Sequence, residues 1–438
     1  MTHMLYRCCT LYLVEKLGYQ KELFEERPYD PSFLLRGIVL DKNNACFLHI
    51  NHERKVVAAV HGTKRILTAQ EIEKLYKNEP VAFIGVSNER YWGCTSYFEI
   101  PYLYTFAVLV DWYDSHSNEK DPMSSYENYQ TINRHIFGCI EFIYGNHESW
   151  FFKEMNENTG KYIESRLNIR KYLEDLKKNT STKVLLLTNS SYSYASLLLN
   201  YAFGSDWDSV FDLKIYSASK PYFFVQEKPF YELGKGGPKG SPTTSLHLNG
   251  NYCAGNSKQL TAFFNTLKEK STICYFGDEV IGDILVPNQY AGWDTISIVE
   301  ELEGLEKELG LDHFMGLTPI TSDALHTHPI WDSFFHYQSK HTSFWANLIH
   351  HYSLAYLPCL SRLTHYQHDK KFRIHHGGND SQNDKEETDE AVPLCTFPDG
   401  GEKVDVVVSS EALLEAMMYK NKIRMTTDSK PLVFNIRK

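Results

Sequence analysis

The chain has 438 residues, more than one hydrophobic core usually supports, so about two or three compact parts are expected. A net charge of −10 argues against a nucleic-acid-binding surface, and no basic stripe interleaved with aromatic residues is present. Aromatic residues make up 14% of the sequence, which argues against a disordered protein.

Cysteine usage and the N-terminal residues indicate the cellular compartment. The nine cysteines form no Cys-x-x-Cys pair and their number is odd, which is typical of a reduced, intracellular chain. Arg7, Glu15 and Lys16 bracket the apolar run near the N-terminus, so a signal peptide is not expected. No apolar stretch approaches the length of a transmembrane helix. These features predict a cytoplasmic protein that binds neither membranes nor nucleic acids.

The first 165 residues show two successive patterns. Residues 1–64 carry a helix-like stretch at 9–19 and a short apolar run at 37–40, as in the first pieces of an α/β core. From 65 to about 165 the pattern becomes mainly helical, with helices predicted over 67–76 and 97–113.

A polar turn follows the next apolar strand. Residues 182–190 form an apolar run that ends in Thr188, Asn189 and Ser190, and residues 191–200 have a helical pattern. These three polar residues are therefore expected at a strand end that faces a helix N-terminus, which is a natural anion site. The alternative is an ordinary Ser/Asn cap without a ligand.

A lysine follows the third strand. The segment at 211–224 predicts this strand, which ends at Lys220 and Pro221, where the proline forces an extended exit. Lys220 could neutralise a phosphate, although most lysines are simply solvated. Residues 230–251 are rich in Gly, Pro and Ser and predict a loop.

Two carboxylates follow an apolar run at 272–276. Gly277 comes next, and Asp278 and Asp283 stand five positions apart. Open α/β sheets place their sites in the crevice at the carboxyl ends of the strands. Two fixed carboxylates there suit Mg²⁺, which keeps several waters and uses few protein oxygens. The alternative is a Gly-Asp turn followed by an N-cap aspartate.

The C-terminal third carries no strong motif. Histidines are concentrated between His313 and His376, but their spacing favours a solvated surface over a metal-binding protein. Residues 377–390 are polar and acidic, which predicts a disordered loop. Residues 409–419 predict a helix that packs against the core or a second subunit, so a homo-oligomer is left open.

Taken in order, the three strand-end segments resemble motifs two, three and four of the haloacid dehalogenase (HAD) superfamily of phosphohydrolases. Residues 29–41, 211–224 and 292–302 narrow the resemblance to the cytosolic purine 5′-nucleotidase family, within it to the branch of 5′-nucleotidase domain-containing proteins. The resemblance spans roughly residues 10–375. The ordered set of motifs is specific, whereas any one of them alone is not.

The resemblance implies an α/β fold. Its HAD-like Rossmannoid core would be a parallel sheet flanked by helices, with a mainly helical cap insertion and a C-terminal extension. The core would comprise residues 1–64 and 166–303, the cap 65–165 and the extension 304–438.

The resemblance also implies an activity, the Mg²⁺-dependent dephosphorylation of nucleoside 5′-monophosphates through an aspartyl-phosphate. Asp278 would ligate Mg²⁺, and Asp283 would orient its waters or a nearby lysine. The Thr-Asn-Ser turn, Thr188 and Asn189 above all, would bind the phosphoryl oxygens. Lys220 would neutralise charge in the transition state, which makes Lys220 and Asp283 the predicted catalytic residues.

One motif of the family is missing from the printed sequence. The family opens with a strand that ends in Asp-x-Asp-x-Thr, and we expect that strand upstream of Met1. Asp41 ends an apolar run, but Asn43 follows and no threonine comes after it. Asp206 and Asp208 have the right spacing but lie in a predicted loop. The chain as written is therefore expected to turn over poorly, and the alternative is an inactive nucleotide- or protein-binding scaffold.

Overall fold

The computed structural model describes residues 1–77, 80–81, 88–117, 126–234, 237, 239–267, 271–302, 328–337 and 341–365. These residues form two compact units. The described residues up to 158, together with 328–345, make up the first unit, and those from 159 to 302, together with 346–365, make up the second. The predicted domain boundaries stay predictions, and the division between the compact units falls after Asn158.

The first unit contains an antiparallel sheet in the order β4-β3-β2-β1-β5. Its strands are β1 (Val39–Asp41), β2 (Cys46–Ile50), β3 (Val56–His61), β4 (Arg65–Ile66) and β5 (Tyr91–Gly93). The β1–β2 hairpin turns through Asn43 and Asn44, a residue type that suits tight turns. A two-stranded ribbon, β13 (His336–Tyr337) and β14 (His341–Thr342), belongs to the same unit.

Helices α1, α4 and α5 of the first unit pack against one another. The helices of this unit are α1 (Thr2–Leu17), α2 (Glu22–Glu25), α3 (Ala69–Tyr76), α4 (Ile100–His116), α5 (Tyr126–Gly145) and α6 (Trp150–Glu157). Thr68 and Glu71 form a reciprocal capping box that starts α3. Helix α4 is buried over its first three turns, as expected for a run with almost no polar residues.

The second unit contains two sheets. The first runs in the order β6-β7-β10-β8-β9, and its strands β6, β7 and β10 are parallel. The second runs in the order β11-β12-β15 and is parallel throughout. The strands are β6 (Leu185–Leu187), β7 (Leu213–Tyr216), β8 (Phe230–Leu233), β9 (Lys239–Thr243), β10 (Asn251–Ala254), β11 (Cys274–Gly277), β12 (Asp294–Ile298) and β15 (Ala355–Leu357).

The second unit also contains helices. They are α7 (Thr159–Tyr162), α8 (Leu167–Asn179), α9 (Tyr192–Phe203) and α10 (Ser257–Leu267), while α11 (Phe344–Tyr352) spans the residue at which the two units divide. Helix α9 links β6 to β7, and α10 links β10 to β11. A buried apolar cluster joins α8, α9 and β7, and its members include Ile169, Ala195, Phe203, Trp207, Val210, Phe211 and Tyr216. Alternation of parallel strands and helices defines the α/β class.

Strands β6 and β11 each have one neighbour among the described strands. From β6 the order continues through β7 to β10, and from β11 it continues through β12 to β15. In each sheet, therefore, the parallel strands that come later in the chain all lie on one side of the first strand, β6 in one sheet and β11 in the other. Ligands of open α/β folds bind in the crevice at the carboxyl ends of the strands.

The prediction of a loop over residues 230–251 is wrong at 230–233 and 239–243, and at residue 251, where β10 begins. Strands β8 and β9 form an antiparallel hairpin there, and Phe230 is fully buried. Gly240 lies where a Cβ would come within 2.7 Å of the Glu232 carbonyl oxygen, and Pro242 occupies the outer strand. Glycine and proline are compatible with an edge strand, so their presence did not exclude one.

Some predictions fall outside the described residues. They are the acidic loop at 377–390, the helix at 409–419 and much of the histidine-rich segment. In the described part of the chain, no helix is both long and apolar enough to cross a membrane.

Candidate functional site

The polar turn after β6 lies directly before helix α9. The backbone N–H of Thr188 continues the sheet by donating to the Ile215 carbonyl at 2.9 Å. The Thr188 hydroxyl oxygen accepts the Ser190 N–H at 3.1 Å, so the turn is closed on itself. Ser191 caps α9 by accepting from the Tyr194 N–H. The Thr-Asn-Ser turn thus lies at the end of a parallel strand and at a helix N-terminus.

The loop that carries Lys220 is tied to this turn. The Ala218 N–H donates to the Thr188 carbonyl at 3.0 Å. The Asn189 side chain accepts the Lys220 N–H at 2.6 Å and donates to the Lys220 carbonyl at 3.1 Å. A carboxamide has two N–H donors, so this contact uses only one amide hydrogen of Asn189. Asn189 therefore fixes the lysine loop and keeps one donor for another acceptor.

Lys220, Tyr275 and Asp283 form a hydrogen-bonded triangle. The Lys220 ammonium donates to Asp283 Oδ1 and to the Tyr275 hydroxyl oxygen, both at 2.6 Å. The Tyr275 hydroxyl donates to the same Asp283 Oδ1 at 3.0 Å. The Lys220 and Asp283 side chains are only 14% and 6% exposed, so the ion pair is largely screened from water.

The triangle sets the protonation states of its members. Burial lowers the pKa of Lys220, but the charge of Asp283 and the hydrogen bonds outweigh burial, and the net pKa is raised. Burial, with the nearby Asp283 carboxylate, raises the pKa of Tyr275. At neutral pH the site therefore contains an ammonium and a protonated phenol.

The turn after β11 folds closely around Asp283. Any side chain at Gly277 would overlap that of Asp283, so a residue without Cβ is needed there. The Glu279 carboxylate accepts the N–H groups of Ile281 and Gly282 and thereby caps the π-helical turn Val280–Leu285. Asp283 is consequently held at the end of β11.

The carboxylates of this turn differ in their surroundings. Asp278 is exposed, whereas Asp283 is buried. Among the described residues, Asp283 Oδ2 accepts only a long contact, 3.4 Å from the Glu279 N–H. Within the described ranges, no group of three or more His, Cys, Asp or Glu side chains could hold a metal ion. Two carboxylates fit Mg²⁺, which completes its shell with waters and substrate phosphate oxygens, better than they fit Zn²⁺.

The other acids considered as nucleophiles have structural partners. Asp41 is fully buried in an antiparallel sheet, and it pairs with Arg90 at 2.9 Å and accepts from the Tyr76 hydroxyl at 3.2 Å. Asp206 pairs with Arg170 at the start of a 3₁₀ turn. Neither acid lies at the carboxyl end of a parallel strand.

Tyr275 is a member of the site that sequence reasoning missed. In the sequence it is one residue of an apolar run, and its hydroxyl two positions before a Gly-Asp turn was the available signal. Its ring lies 6.0 Å from both the Phe224 and the Trp293 rings, which lie 5.4 Å from each other. The triangle therefore stands on an aromatic cluster.

Parallel strands with polar loops at their carboxyl ends define an α/β protein, and the buried Lys–Asp pair and the carboxylate turn make this edge the candidate site. The sequence matches the model of the 5′ nucleotidase family over residues 1–311. The chain therefore belongs to the 5′-nucleotidase family, as the resemblance predicted.

Three relatives are similar to this chain over about the same length. Human 5′-nucleotidase domain-containing protein 1 is 29% identical over 315 residues, which cover 69% of this chain and 68% of that protein. The Bos taurus protein of the same name is 27% identical over 312 residues, with coverages of 69% and 68%. A 5′-nucleotidase domain-containing protein of Dictyostelium discoideum is 26% identical over 319 residues, which cover 69% of this chain and 50% of that protein.

Proposed function

We propose that this chain is a Mg²⁺-dependent phosphohydrolase that acts on nucleoside 5′-monophosphates. The observation that carries the proposal is the Lys220 ammonium, which Asp283 and Tyr275 hold beside the Thr-Asn-Ser turn. A phosphate monoester needs a fixed positive charge and several donors where negative charge develops. Membership in the 5′-nucleotidase family supports the choice of a nucleotide as the substrate.

Each residue has a distinct role in this proposal. The Thr188 hydroxyl accepts from Ser190, so its own hydrogen remains to donate to a phosphoryl oxygen. The second amide hydrogen of Asn189 is donated to another phosphoryl oxygen. Lys220 neutralises the charge that grows on the phosphoryl group in the transition state.

Asp278 and Asp283 would hold the magnesium ion. When bound, the ion neutralises phosphate charge and orients the substrate. Asp283 has Oδ1 engaged by Lys220 and Tyr275, so its Oδ2 is the oxygen suited to the ion or to one of its waters. Asp278 is exposed and supplies the second carboxylate.

The route that family resemblance implies needs one more residue. An aspartate would attack phosphorus, the nucleoside oxygen would leave with a proton, and water would then hydrolyse the aspartyl-phosphate. The printed sequence contains no Asp-x-Asp-x-Thr. The second candidate function is a nucleotide- or protein-binding scaffold without turnover, because phosphate contacts from Thr188, Asn189 and Lys220 need no nucleophile.

The test compares phosphate release with binding. Purified protein is incubated with AMP, GMP, IMP, CMP and UMP, with Mg²⁺ or with EDTA, and both free phosphate and calorimetric binding are measured. Mg²⁺-dependent release that Asp278→Asn abolishes supports the phosphohydrolase. Binding without release that Asp278→Asn leaves unchanged supports the scaffold. Neither release nor binding from any of these nucleotides would rule out both.

A further inference from the structure

The Tyr275 hydroxyl is the one neutral group of the Lys220–Tyr275–Asp283 triangle. Resting on the proposed function, we infer that Tyr275 is a positioning residue of the phosphate site. Its hydroxyl fixes the Lys220 ammonium where the phosphoryl charge develops. It also donates to Oδ1 of Asp283, which leaves Oδ2 to bind the metal ion or one of its waters. Tyr275 itself acts through Lys220 and Asp283 and does not need to touch the substrate.

The hydrogen-bond geometry supports this role. Lysine carries its charge on a flexible four-carbon stem, so a single acceptor leaves the ammonium free to swing about that contact. Lys220 instead donates to two acceptors at 2.6 Å, Asp283 Oδ1 and the Tyr275 oxygen. These acceptors are themselves joined at 3.0 Å. A closed triangle of this kind leaves the ammonium one position, and its third hydrogen, which no described residue accepts, is left for a ligand.

The aromatic cluster determines where the Tyr275 hydroxyl lies. Tyr275 belongs to β11, and its ring contacts Phe224 and Trp293. Trp293 is in turn fixed because its indole N–H donates to the Thr261 hydroxyl at 3.0 Å. The phenol is thus held by the β11 backbone and by packing, independently of Lys220. A rigid support of this kind is what precise orientation of a charged group requires.

The experiment removes the oxygen and keeps the ring. Tyr275→Phe retains the aromatic contacts. Tyr222→Phe is the matched control, because the buried Tyr222 hydroxyl has no hydrogen-bond partner among the described residues. Binding of inorganic phosphate in the presence of Mg²⁺ is measured by calorimetry for both variants, for Lys220→Gln and for the Lys220→Gln/Tyr275→Phe double variant.

Tyr275→Phe is expected to weaken phosphate binding about tenfold, the effect of one hydrogen bond to a charged group. In the Lys220→Gln background the same change is expected to have almost no effect, because the two residues act as a unit. Tyr222→Phe is expected to bind as the unaltered protein does. Equal effects of Tyr275→Phe in both backgrounds would overturn the positioning role and leave a structural contact.

A second readout needs no ligand. Acetic anhydride is applied at mildly alkaline pH, and mass spectrometry compares acetylation of Lys220 with that of the exposed Lys258. Lys220 is expected to react several times faster in Tyr275→Phe than in Tyr222→Phe, and an unchanged rate overturns the inference. If the rate rises but the unaltered protein binds no phosphate, the proposed function has failed and the positioning role falls with it.

Discussion

Asp41 in the first unit and Asp283 in the second are both buried, and both pair with a cation, yet only one of them lies in the candidate site. Oδ1 of Asp41 accepts from the Asn43 N–H and from Arg90, and Oδ2 accepts from Asn44, Arg90 and Tyr76. In the part of the chain that the structure describes, Oδ2 of Asp283 has only the 3.4 Å contact from the Glu279 N–H. Burial and charge pairing are therefore common to both carboxylates, and unused acceptor capacity among the described residues is what distinguishes Asp283 from Asp41.

Neutralising Asp41 tests most directly whether its carboxylate is structural. Asp41→Asn is expected to lower the free energy of unfolding by about 3 kcal/mol, because the Arg90 charge and several buried donors lose their acceptor. Urea denaturation measures the change. Glu53→Gln is the control, since the ion pair of Glu53 with Lys55 is exposed and contributes little, and unfolding should be unchanged. Unaltered stability of Asp41→Asn would contradict a structural role for this carboxylate.

The buried His49 can be compared with the largely buried Lys220. Burial keeps the His49 side chain neutral, whereas the Asp283 carboxylate keeps Lys220 charged. Burial lowers the pKa of His49 to about 4, although Asp332 and a backbone contact with Trp331 act in the opposite direction. The folded pKa lies below the value in the unfolded chain, so the unfolded chain binds the proton first. Stability is therefore fully present above about pH 6.5 and is lost as the pH falls toward 4.

His49→Gln removes this titration. Between about pH 7 and pH 5 the unaltered protein is expected to lose about 2 kcal/mol of unfolding free energy through His49. The variant should lose correspondingly less over the same interval, as measured by denaturation at the two pH values. His135, whose pKa burial also lowers to about 4, contributes in the same direction and remains in both proteins. Identical pH dependence of the two proteins would show that His49 is charged in the folded state.

Asp278 should behave in the opposite way to Asp41. Asp278→Asn is expected to leave unfolding unchanged, because the side chain is exposed, while Mg²⁺-dependent nucleotide binding weakens by about tenfold, or about 1.4 kcal/mol. Calorimetry with and without Mg²⁺ measures the effect. Glu227→Gln, another exposed acid of the second unit, serves as the control. An equal loss in both variants would point to general charge and against a metal ligand.

The smallest expected effect concerns the support of Asp41. Helix α3 ends at Tyr76, whose hydroxyl donates to Asp41, and Thr68 caps the other end of this helix. Thr68→Ala is expected to lower the unfolding free energy by about 1 kcal/mol, and Thr68→Ser should retain most of the cap. Thermal unfolding of the two variants provides the comparison, and equal destabilisation by both would show that the methyl group and not the hydroxyl matters.

The sequence located the strand ends because their signals are local. An apolar run followed by polar residues, a proline or a glycine marks the end of β6, β7 and β11 within about ten residues. Contacts between distant residues were not readable in this way. The tether of Asn189 to Lys220 and the contact of Lys220 with Tyr275 join residues 31 and 55 positions apart. The β8–β9 hairpin was missed because Gly and Pro mark both loops and edge strands.

The Asn189 tether binds only the main chain of Lys220. Because the carboxamide forms its hydrogen bonds with the peptide N–H and carbonyl of residue 220, these bonds do not depend on the side chain at this position. Lys220 can therefore be replaced by arginine, glutamine or an unnatural amine, which changes the charge of the site, without breaking the hydrogen bonds that hold its loop. The conformation of the loop at position 220 is thus independent of the side chain that the loop carries.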